Sequence, residues 1–147
     1  MPTQQQLDEV YLGTALLHSK LSKARRNRVG SVLVTKAGVT LTGYNGSAAG
    51  LDNNLEYEEP DGTLVTRIST LHSELNCILK AAKEGVSVEG ATMYITLSPC
   101  LHCSAMMIQA GIKECCFIET YRDTSGLDLL KQAGIITRQV QLQGVTF

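Results

Sequence analysis

Three residues of metal-binding type occur at a spacing that suits one ion: His72 in TLHSELN, and Cys100 with Cys103 in SPCLHC. Two cysteines at positions i and i+3 in the first turn of a helix project their sulfur atoms to one side, where both can bind the same ion. One imidazole and two thiolates form a three-ligand zinc set, which leaves the fourth tetrahedral position open to water. The open position is typical of a catalytic site, because structural zinc sites are closed by four protein ligands.

Glu74 follows His72 by two residues, and this spacing points two side chains to nearly opposite sides of a regular helix. Both side chains can reach one site only if the site lies beyond the N-terminal end of the helix. The same condition holds for the two cysteines, so two helix N-termini would converge on the ion and favour thiolates and hydroxide there. We therefore predict that Glu74 is the base and acid beside the water and not a metal ligand.

Other interpretations of these residue types exist. A CxxC pair alone is also typical of a redox motif or a structural zinc site, and only the upstream histidine and glutamate favour catalysis. The other cysteines are interpreted as small core side chains; they are Cys77, Cys115 and Cys116. His18 is interpreted as a surface or interface residue, and His102 as a residue at the rim of the metal turn.

The first half of the chain must supply one side of this site. The spacing of Leu7, Val10, Leu17 and Leu21 predicts an amphipathic helix over residues 5–22, followed by a basic connector, residues 23–28 (KARRNR). VGSVLVT and GVTLTGY predict a β-hairpin. Residues 45–69 contain the turn signals NG, DNN and PDG and predict a long irregular stretch, of a length that is usually functional or mobile.

The second half alternates between helices and strands. One helix ends at Gly85 and precedes the strand ATMYITL; Ser98 is the predicted N-cap and Pro99 the first residue of the next helix, which stops at Gly111. The order is completed by the strand ECCFIE, a helix over 127–133 and a last strand, IITRQV. Strand–helix–strand alternation predicts parallel neighbours joined by right-handed crossovers. With the N-terminal hairpin added, the fold class is α/β, with a mixed sheet and helices on both faces.

Composition limits the class of protein. The 147 residues fit a single domain over 1–147, and 44% hydrophobic against 18% charged residues allow a packed core. A formal charge of -1 argues against a domain that binds nucleic acid through phosphate contacts, and no apolar run reaches the ~18 residues of a membrane span. The polar start MPTQQQLDEV is unlike a signal peptide, and five cysteines without a secretory signal predict a reduced, cytoplasmic protein.

The motifs together resemble the zinc-dependent cytidine and deoxycytidylate deaminase family. H-x-E with P-C-x-x-C is the signature of zinc-dependent nucleobase deaminases, and VGSVLV, GYNG, HSELN, GATMYITLSPC, QAGIKE and ETYRD extend the resemblance from about Leu16 to the C-terminus. It is strongest to the deoxycytidylate deaminases. It implies a three-layer α/β/α cytidine deaminase-like fold with about five strands. It also implies hydrolytic deamination of dCMP to dUMP and ammonia, with Zn²⁺ as cofactor and cytoplasmic localisation (that of the host if the protein is encoded by a virus).

The resemblance also implies roles for residues outside the metal cluster. The implied substrate-binding residues are Asn45 on the sugar, Ser22 and Arg26 near the phosphate, Ser98, and Tyr121 against the base or sugar. The implied effector-binding residues are Gly43, Tyr44, Asn45, Gly46 and Lys83. Each of these segments also has an interpretation without a binding role: GYNG as a plain turn, Arg26 in a solvated loop, Tyr121 as a core or edge aromatic and Lys83 as a solvated lysine.

Regulation and assembly are implied in the same way: relatives form oligomers, often hexamers, that dCTP activates and dTTP inhibits. The acidic residues Glu56, Glu58, Glu59 and Asp61 are interpreted as a solvated loop, with Mg²⁺ held on a bound triphosphate as the alternative. Ser73 replaces the usual alanine of the family. Ala24 and Asn53-Asn54 stand where some relatives have cysteines for a second zinc, so we expect one zinc per chain.

Rival functions are deamination of cytosine, cytidine, guanine or transfer-RNA adenosine, and a non-catalytic nucleotide sensor in which zinc is only structural. The charge balance disfavours RNA, GYNG and TYRD favour a mononucleotide, and the intact Glu74 disfavours the sensor. The expected partners are therefore nucleotides and copies of the same chain, with no nucleic acid and no membrane.

Overall fold

The computed structural model describes residues 1–142, which form four helices and seven strands. In chain order they are α1 (Gln4–Ser19), β1 (Gly30–Val34), β2 (Thr40–Tyr44), β3 (Glu56–Glu58), β4 (Leu64–Thr66), α2 (Ser73–Glu84), β5 (Thr92–Leu97), α3 (Leu101–Ala110), β6 (Glu114–Glu119), α4 (Ser125–Gln132) and β7 (Ile136–Gln139). Residues 143–147, which the predicted single domain includes, lie outside the described part.

Five strands form one mixed sheet in the order β2-β1-β5-β6-β7. The β1 strand is antiparallel to both of its neighbours, with Gly30 opposite Tyr44 on β2 and Ser31 opposite Ile95 on β5. The β5, β6 and β7 strands are parallel, each pair joined by a helix. The carboxyl ends of β5 and β6 therefore meet at one edge of the sheet, and the metal-binding turn follows β5 there.

Helices cover both faces of the sheet and create two cores. The core that faces α2, α3 and α4 contains Cys77 and Cys115, and the core that faces α1 contains Cys116. All three cysteines are buried, as predicted. Cys115 and Cys116 are neighbouring residues of β6 and therefore face opposite sides of the sheet. The three-layer α/β/α arrangement and the mixed five-stranded sheet confirm the predicted fold class.

The α1 helix is shorter than predicted and packs by a different face. It ends at Ser19, and i to i+3 turns follow where residues 20–22 were predicted to be helical. Its buried residues are Asp8, Leu12, Gly13, Ala15 and Ser19, and all of them except Leu12 are small or polar. The predicted apolar positions Val10, Leu17 and Leu21 are 61%, 47% and 53% exposed. Small side chains let the helix lie close to the sheet. The face with small residues is therefore buried, although the opposite face is more hydrophobic.

Two further predictions of local structure were wrong. The stretch 45–69 was predicted to be irregular, yet it contains the antiparallel hairpin β3–β4, which pairs Tyr57 with Val65. Ser98 was predicted to cap α3, but Cys100 is the N-cap and the helix begins at Leu101, because Ser98 and Pro99 still belong to the turn out of β5. Within residues 1–142, no helix combines the length and apolar character that a membrane crossing requires.

Candidate active site

His72, Glu74, Cys100 and Cys103 form one cluster. Their ligand atoms all lie within 4.8 Å of one another. The Nδ1 atom of His72 is 3.5 Å from the Cys100 sulfur and 3.2 Å from the Cys103 sulfur. A nitrogen and two sulfur donors at this separation match a zinc site with one position left for water. The donor set therefore fits the zinc ion that the sequence predicts.

Two helix N-termini bring the ligands together, as the sequence predicts. His72 is the N-cap of α2, Cys100 is the N-cap of α3, and Cys103 lies in the first turn of α3. The start of α4 supports this turn at very short range: a Cβ atom on Gly126 would lie 2.2 Å from the carbonyl oxygen of Pro99. Only glycine fits there, so the metal turn is held between β5 and α4.

The two thiols are electrostatically unequal. A hydrogen bond from Cys103, helped by His72 and opposed by burial, lowers the pKa of Cys100 to about 4. The same hydrogen bond, together with burial, raises the pKa of Cys103. Cys100 is thus the thiol that ionises more readily, and metal binding has to displace the remaining thiol proton.

Glu74 is a buried carboxylate at the edge of this cluster. The residue is 3% exposed, and its Oε1 atom lies 3.9 Å from the Nδ1 atom of His72. The Ser73 hydroxyl donates a hydrogen bond to Oε2 at 3.1 Å, so the serine that replaces the usual alanine orients the carboxylate. Burial raises the pKa of Glu74, which makes it a better proton acceptor than an exposed glutamate.

A cavity of about 310 Å³ opens beside the cluster. It is lined by His72, Glu74 and Cys100, and by four of the five predicted substrate residues, which are Arg26, Asn45, Ser98 and Tyr121. Ser22 does not line the cavity. It is buried beneath the connector, where its hydroxyl donates to the carbonyl oxygen of Asn45 at 2.8 Å.

Two of the lining side chains, Asn45 and Ser98, form hydrogen bonds with the backbone of neighbouring segments. The side chain of Asn45 accepts a hydrogen bond from the N–H of Val29 and donates one to the carbonyl oxygen of Asn27, each at 2.8 Å. The Ser98 hydroxyl accepts a 2.7 Å hydrogen bond from the N–H of Tyr121. One Asn45 amide hydrogen remains for a ligand. These bonds position the walls of the cavity.

Sequence reasoning missed several residues of the cavity wall. Arg122, which also lines the cavity, has its guanidinium 5.9 Å from the centre of the Tyr121 ring; its place in TYRD was the available signal. Val65, Thr66 and Glu56 come from the hairpin that was predicted to be irregular. Glu56 is 1% exposed, so its interpretation as part of a solvated loop was wrong, whereas Glu58 and Asp61 are exposed.

The predicted effector residues separate into different environments. Tyr44 and Gly46 line a second cavity of about 370 Å³, together with Lys23, Asn76 and Lys80. Gly43 is buried against α2, where a Cβ atom would lie 2.4 Å from the carbonyl oxygen of Ser73. Lys83 is exposed and lines neither cavity. The basic residue of α2 at the second cavity is Lys80.

Comparisons with known proteins agree with this geometry. A sequence model of the cytidine and deoxycytidylate deaminase zinc-binding region matches residues 5–119. The deoxycytidylate deaminase of Enterobacteria phage T4 is 34% identical, over 84% of each chain. The human deoxycytidylate deaminase is 33% identical, over 89% of this chain and 78% of its own. The dCMP deaminase of cyanophage S-TIM5, solved with dCMP and dUMP, superposes with a TM-score of 0.85 at 35% identity, covering 95% of this chain and all of that one.

Proposed function

The chain belongs to the cytidine and deoxycytidylate deaminase zinc-binding family, and we propose that it hydrolyses dCMP to dUMP and ammonia. The observation that carries the proposal is the buried carboxylate of Glu74 beside a histidine–cysteine–cysteine cluster in the wall of a nucleotide-sized cavity. A purely structural zinc site has no use for such a carboxylate.

The residues divide the reaction between them. His72, Cys100 and Cys103 would hold zinc, which when bound lowers the pKa of a coordinated water toward neutrality. Glu74 takes one proton from the attacking water and delivers it to N3 of the cytosine ring as oxygen adds to C4. It then transfers the second proton to the amino group, the C4–N bond breaks and ammonia leaves. The Ser73 hydroxyl keeps the Glu74 carboxylate oriented through both transfers.

A nucleotide suits the cavity better than a free nucleoside, because two cationic side chains line it. Among residues 1–142, neither Arg26 nor Arg122 is in an ion pair with a carboxylate. Each charge-assisted hydrogen bond to a 5'-phosphate is worth about 1.5–3 kcal/mol, or about tenfold or more in affinity. The deoxycytidylate deaminases among its relatives support the same substrate.

Ammonia release from dCMP, CMP, deoxycytidine and cytosine, measured in parallel, tests the proposal. We expect the highest kcat/KM for dCMP, at least about tenfold above deoxycytidine because of the phosphate contacts. Equal rates with deoxycytidine would contradict the nucleotide preference, and no release from any of the four would contradict the activity.

We also propose one zinc ion per chain, since residues 1–142 contain a single cluster of suitable ligands. Metal analysis of the purified protein should find about one zinc. The variant Cys103→Ser should lose it, because a neutral hydroxyl binds zinc far more weakly than a thiolate. Cys77→Ser is the matched control, since Cys77 lies in the core outside the cluster. Full zinc occupancy in Cys103→Ser would contradict the assignment.

Regulation by dCTP and dTTP is proposed at the second cavity, with Mg²⁺ accompanying the triphosphate. Lys23 and Lys80 supply positive charge there. Gly46 exchanges two backbone hydrogen bonds with Leu71, the residue before His72, at 3.0 and 2.8 Å. A ligand that shifts Gly46 would therefore shift the segment that carries His72. Two effectors with opposite effects would each favour a different position of this segment.

Saturation curves for dCMP alone, with dCTP and magnesium, and with dTTP test this regulation. We expect dCTP to make a sigmoidal curve hyperbolic and dTTP to suppress activity. Lys80→Ala should weaken the response to both effectors, whereas Lys83→Ala serves as its control on the same helix. Hyperbolic curves that neither nucleotide changes would exclude the regulation and leave the deaminase assignment intact.

A homo-oligomer, with the hexamer as the favoured state, is proposed as the form in solution. The exposed apolar side chains of Val10, Leu17 and Leu21 on and after α1 are surface that association between copies would cover. Sedimentation velocity at several protein concentrations tests it, and a species of one chain's mass at all concentrations would contradict it.

A further inference from the structure

Glu56 is a buried carboxylate that the reaction itself does not use. Its side chain is 2% exposed, and it lies at the start of β3, in the wall of the first cavity. A buried charge is costly unless it is paired and hydrogen-bonded. The partners of Glu56 therefore indicate why a carboxylate is retained at this position.

All of these partners lie in the basic connector, residues 23–28. The N–H of Arg25 donates to the two carboxylate oxygens at 2.9 and 3.0 Å, and the N–H of Arg26 donates to Oε2 at 2.8 Å. Two successive backbone N–H groups thus enclose an anion, as they do in phosphate-binding loops, but here the anion is a side chain of the protein. The Arg25 side chain completes the contact, with Nε 3.6 Å from Oε1.

This arrangement gives the two arginines different roles. Arg25 faces the carboxylate and neutralises it. Arg26 is fixed through its backbone and lines the cavity. Its guanidinium has one hydrogen-bond partner among the described residues, the neutral hydroxyl of Thr66, which also lines the cavity, at 3.4 Å. The charge of Arg26 is therefore left for an anion that enters the cavity.

The other anchors of the connector act at its ends. The Ser22 hydroxyl accepts a hydrogen bond from the N–H of Ala24, and the Asn45 side chain binds Asn27 and Val29. Among residues 1–142, the Glu56 side chain alone binds the backbone of Arg25 and Arg26 at the centre of the connector. Loss of Glu56 should release the arginines while the ends remain attached.

We infer that Glu56 is a positioning residue that fixes Arg26 for the 5'-phosphate and thereby sets the preference for nucleotide over nucleoside, an inference that rests on the proposed function. Glu56 does not touch the substrate; it acts through the connector backbone. The carboxylate is needed because its oxygens can accept three hydrogen bonds from main-chain donors.

The test compares Glu56→Gln with wild type and with Glu58→Gln, a matched change at an exposed position of the same strand. Dissociation constants for dUMP and deoxyuridine isolate the contribution of the phosphate, and kcat and KM for dCMP are measured beside them. In Glu56→Gln we expect the KM for dCMP and the Kd of dUMP to rise about tenfold, the size of one charge-assisted hydrogen bond. The kcat and the Kd of deoxyuridine should stay within about threefold, zinc content should not change, and Glu58→Gln should behave as wild type.

Two further measurements separate positioning from a general structural role. Amide hydrogen exchange should become faster at Arg25 and Arg26 in Glu56→Gln and stay unchanged in α2 and α3. In the background of Arg26→Ala, Glu56→Gln should cause no further loss of dUMP binding, because both changes remove the same contact.

The outcomes distinguish this inference from the proposed function. If wild type binds dUMP no better than deoxyuridine, the nucleotide preference fails and the role of Glu56 fails with it. If wild type prefers dUMP and Glu56→Gln keeps that preference, or weakens both ligands equally, the proposed function survives and the positioning role is overturned.

Discussion

At the scale of single residues, the site depends on charge placed where water is scarce. Glu74 is enclosed by the metal-binding residues and Ser73, and burial raises its pKa. A carboxylate with a raised pKa accepts a proton more readily than an exposed glutamate does. The Ser73 hydroxyl stabilises the orientation of the carboxylate without adding charge.

The substitution Glu74→Gln tests the role of this carboxylate. Glutamine keeps the shape but cannot take a proton, so turnover should fall at least ~10²-fold, the low end for acid–base catalysis. Zinc content should stay at the wild-type value because the proposed zinc ligands, His72, Cys100 and Cys103, are unchanged. Near-normal turnover in the zinc-loaded variant would place the proton transfer on another group.

Ser73→Ala is a milder companion change. It restores the alanine that is usual in the family and removes a single hydrogen bond to the carboxylate, so turnover should fall less than about tenfold. A loss as large as that of Glu74→Gln would give the hydroxyl a direct part in the reaction.

At the scale of elements, close backbone approaches hold the metal turn. The start of α4 lies against Pro99 and Cys100 with no space for a side chain at Gly126. The turn therefore has β5 behind it and α4 beside it, and the two cysteines have a fixed direction. Ligands placed by rigid elements need less rearrangement when the ion binds.

Gly126→Ala should accordingly damage stability and zinc binding together. The added Cβ would lie 2.2 Å from one carbonyl oxygen and 2.8 Å from the next, so backbone has to move. We expect a loss of about 1–3 kcal/mol in unfolding free energy, typical of overpacking. Gly46→Ala is the control, because its Cβ would first meet the Tyr44 ring at 3.7 Å. Denaturant unfolding and zinc titration of both variants measure the difference, and equal effects would contradict the explanation.

The proximity of His72, Glu74, Cys100 and Cys103 could be predicted from the sequence because it follows from local spacing. His72 and Cys100 are each the N-cap of a helix, so the spacing of the motif directly determines where these side chains point. The hairpin β3–β4 was missed since its strands have three residues each, too few for a period to appear. Glu56 was missed because its partners lie about thirty residues away in the chain, and no local pattern marks such a contact.

At the scale of the whole molecule, a partly buried charge network ties the first helix to β7, the strand at the edge of the sheet. Arg138 on β7 binds both carboxylate oxygens of Asp8 on α1, at 2.9 and 3.0 Å, and its Nε donates to Glu114 on β6. Burial opposes ionisation of Asp8, but the hydrogen bonds from Arg138 and Gln4 outweigh it and lower the pKa. The Asp8–Arg138 ion pair therefore stabilises the fold only while Asp8 is charged.

This gives a defined dependence of stability on pH. A carboxyl group whose pKa is lowered on folding contributes stability above its unfolded pKa of about 3.9, and the contribution disappears as pH falls through the folded value. Asp8→Asn should cost about 1–3 kcal/mol of unfolding free energy at pH 7, and the difference from wild type should shrink below about pH 4. Denaturant unfolding from pH 7 to pH 3 measures it. A difference that stays constant across this range would show that Asp8 stabilises by packing alone.

The same ion pair joins residues that are 130 positions apart in the chain, and this separation bears on how the protein is made. At ~5–20 residues per second, the ribosome adds Arg138 roughly 6–26 s after Asp8. Throughout that interval Asp8 on the first helix lacks its charge partner, because β7 has not yet been made. The strands on which α1 packs, β1 and β5, are made well before β7. We therefore expect α1 to dock on the sheet first and the Asp8–Arg138 ion pair to close last.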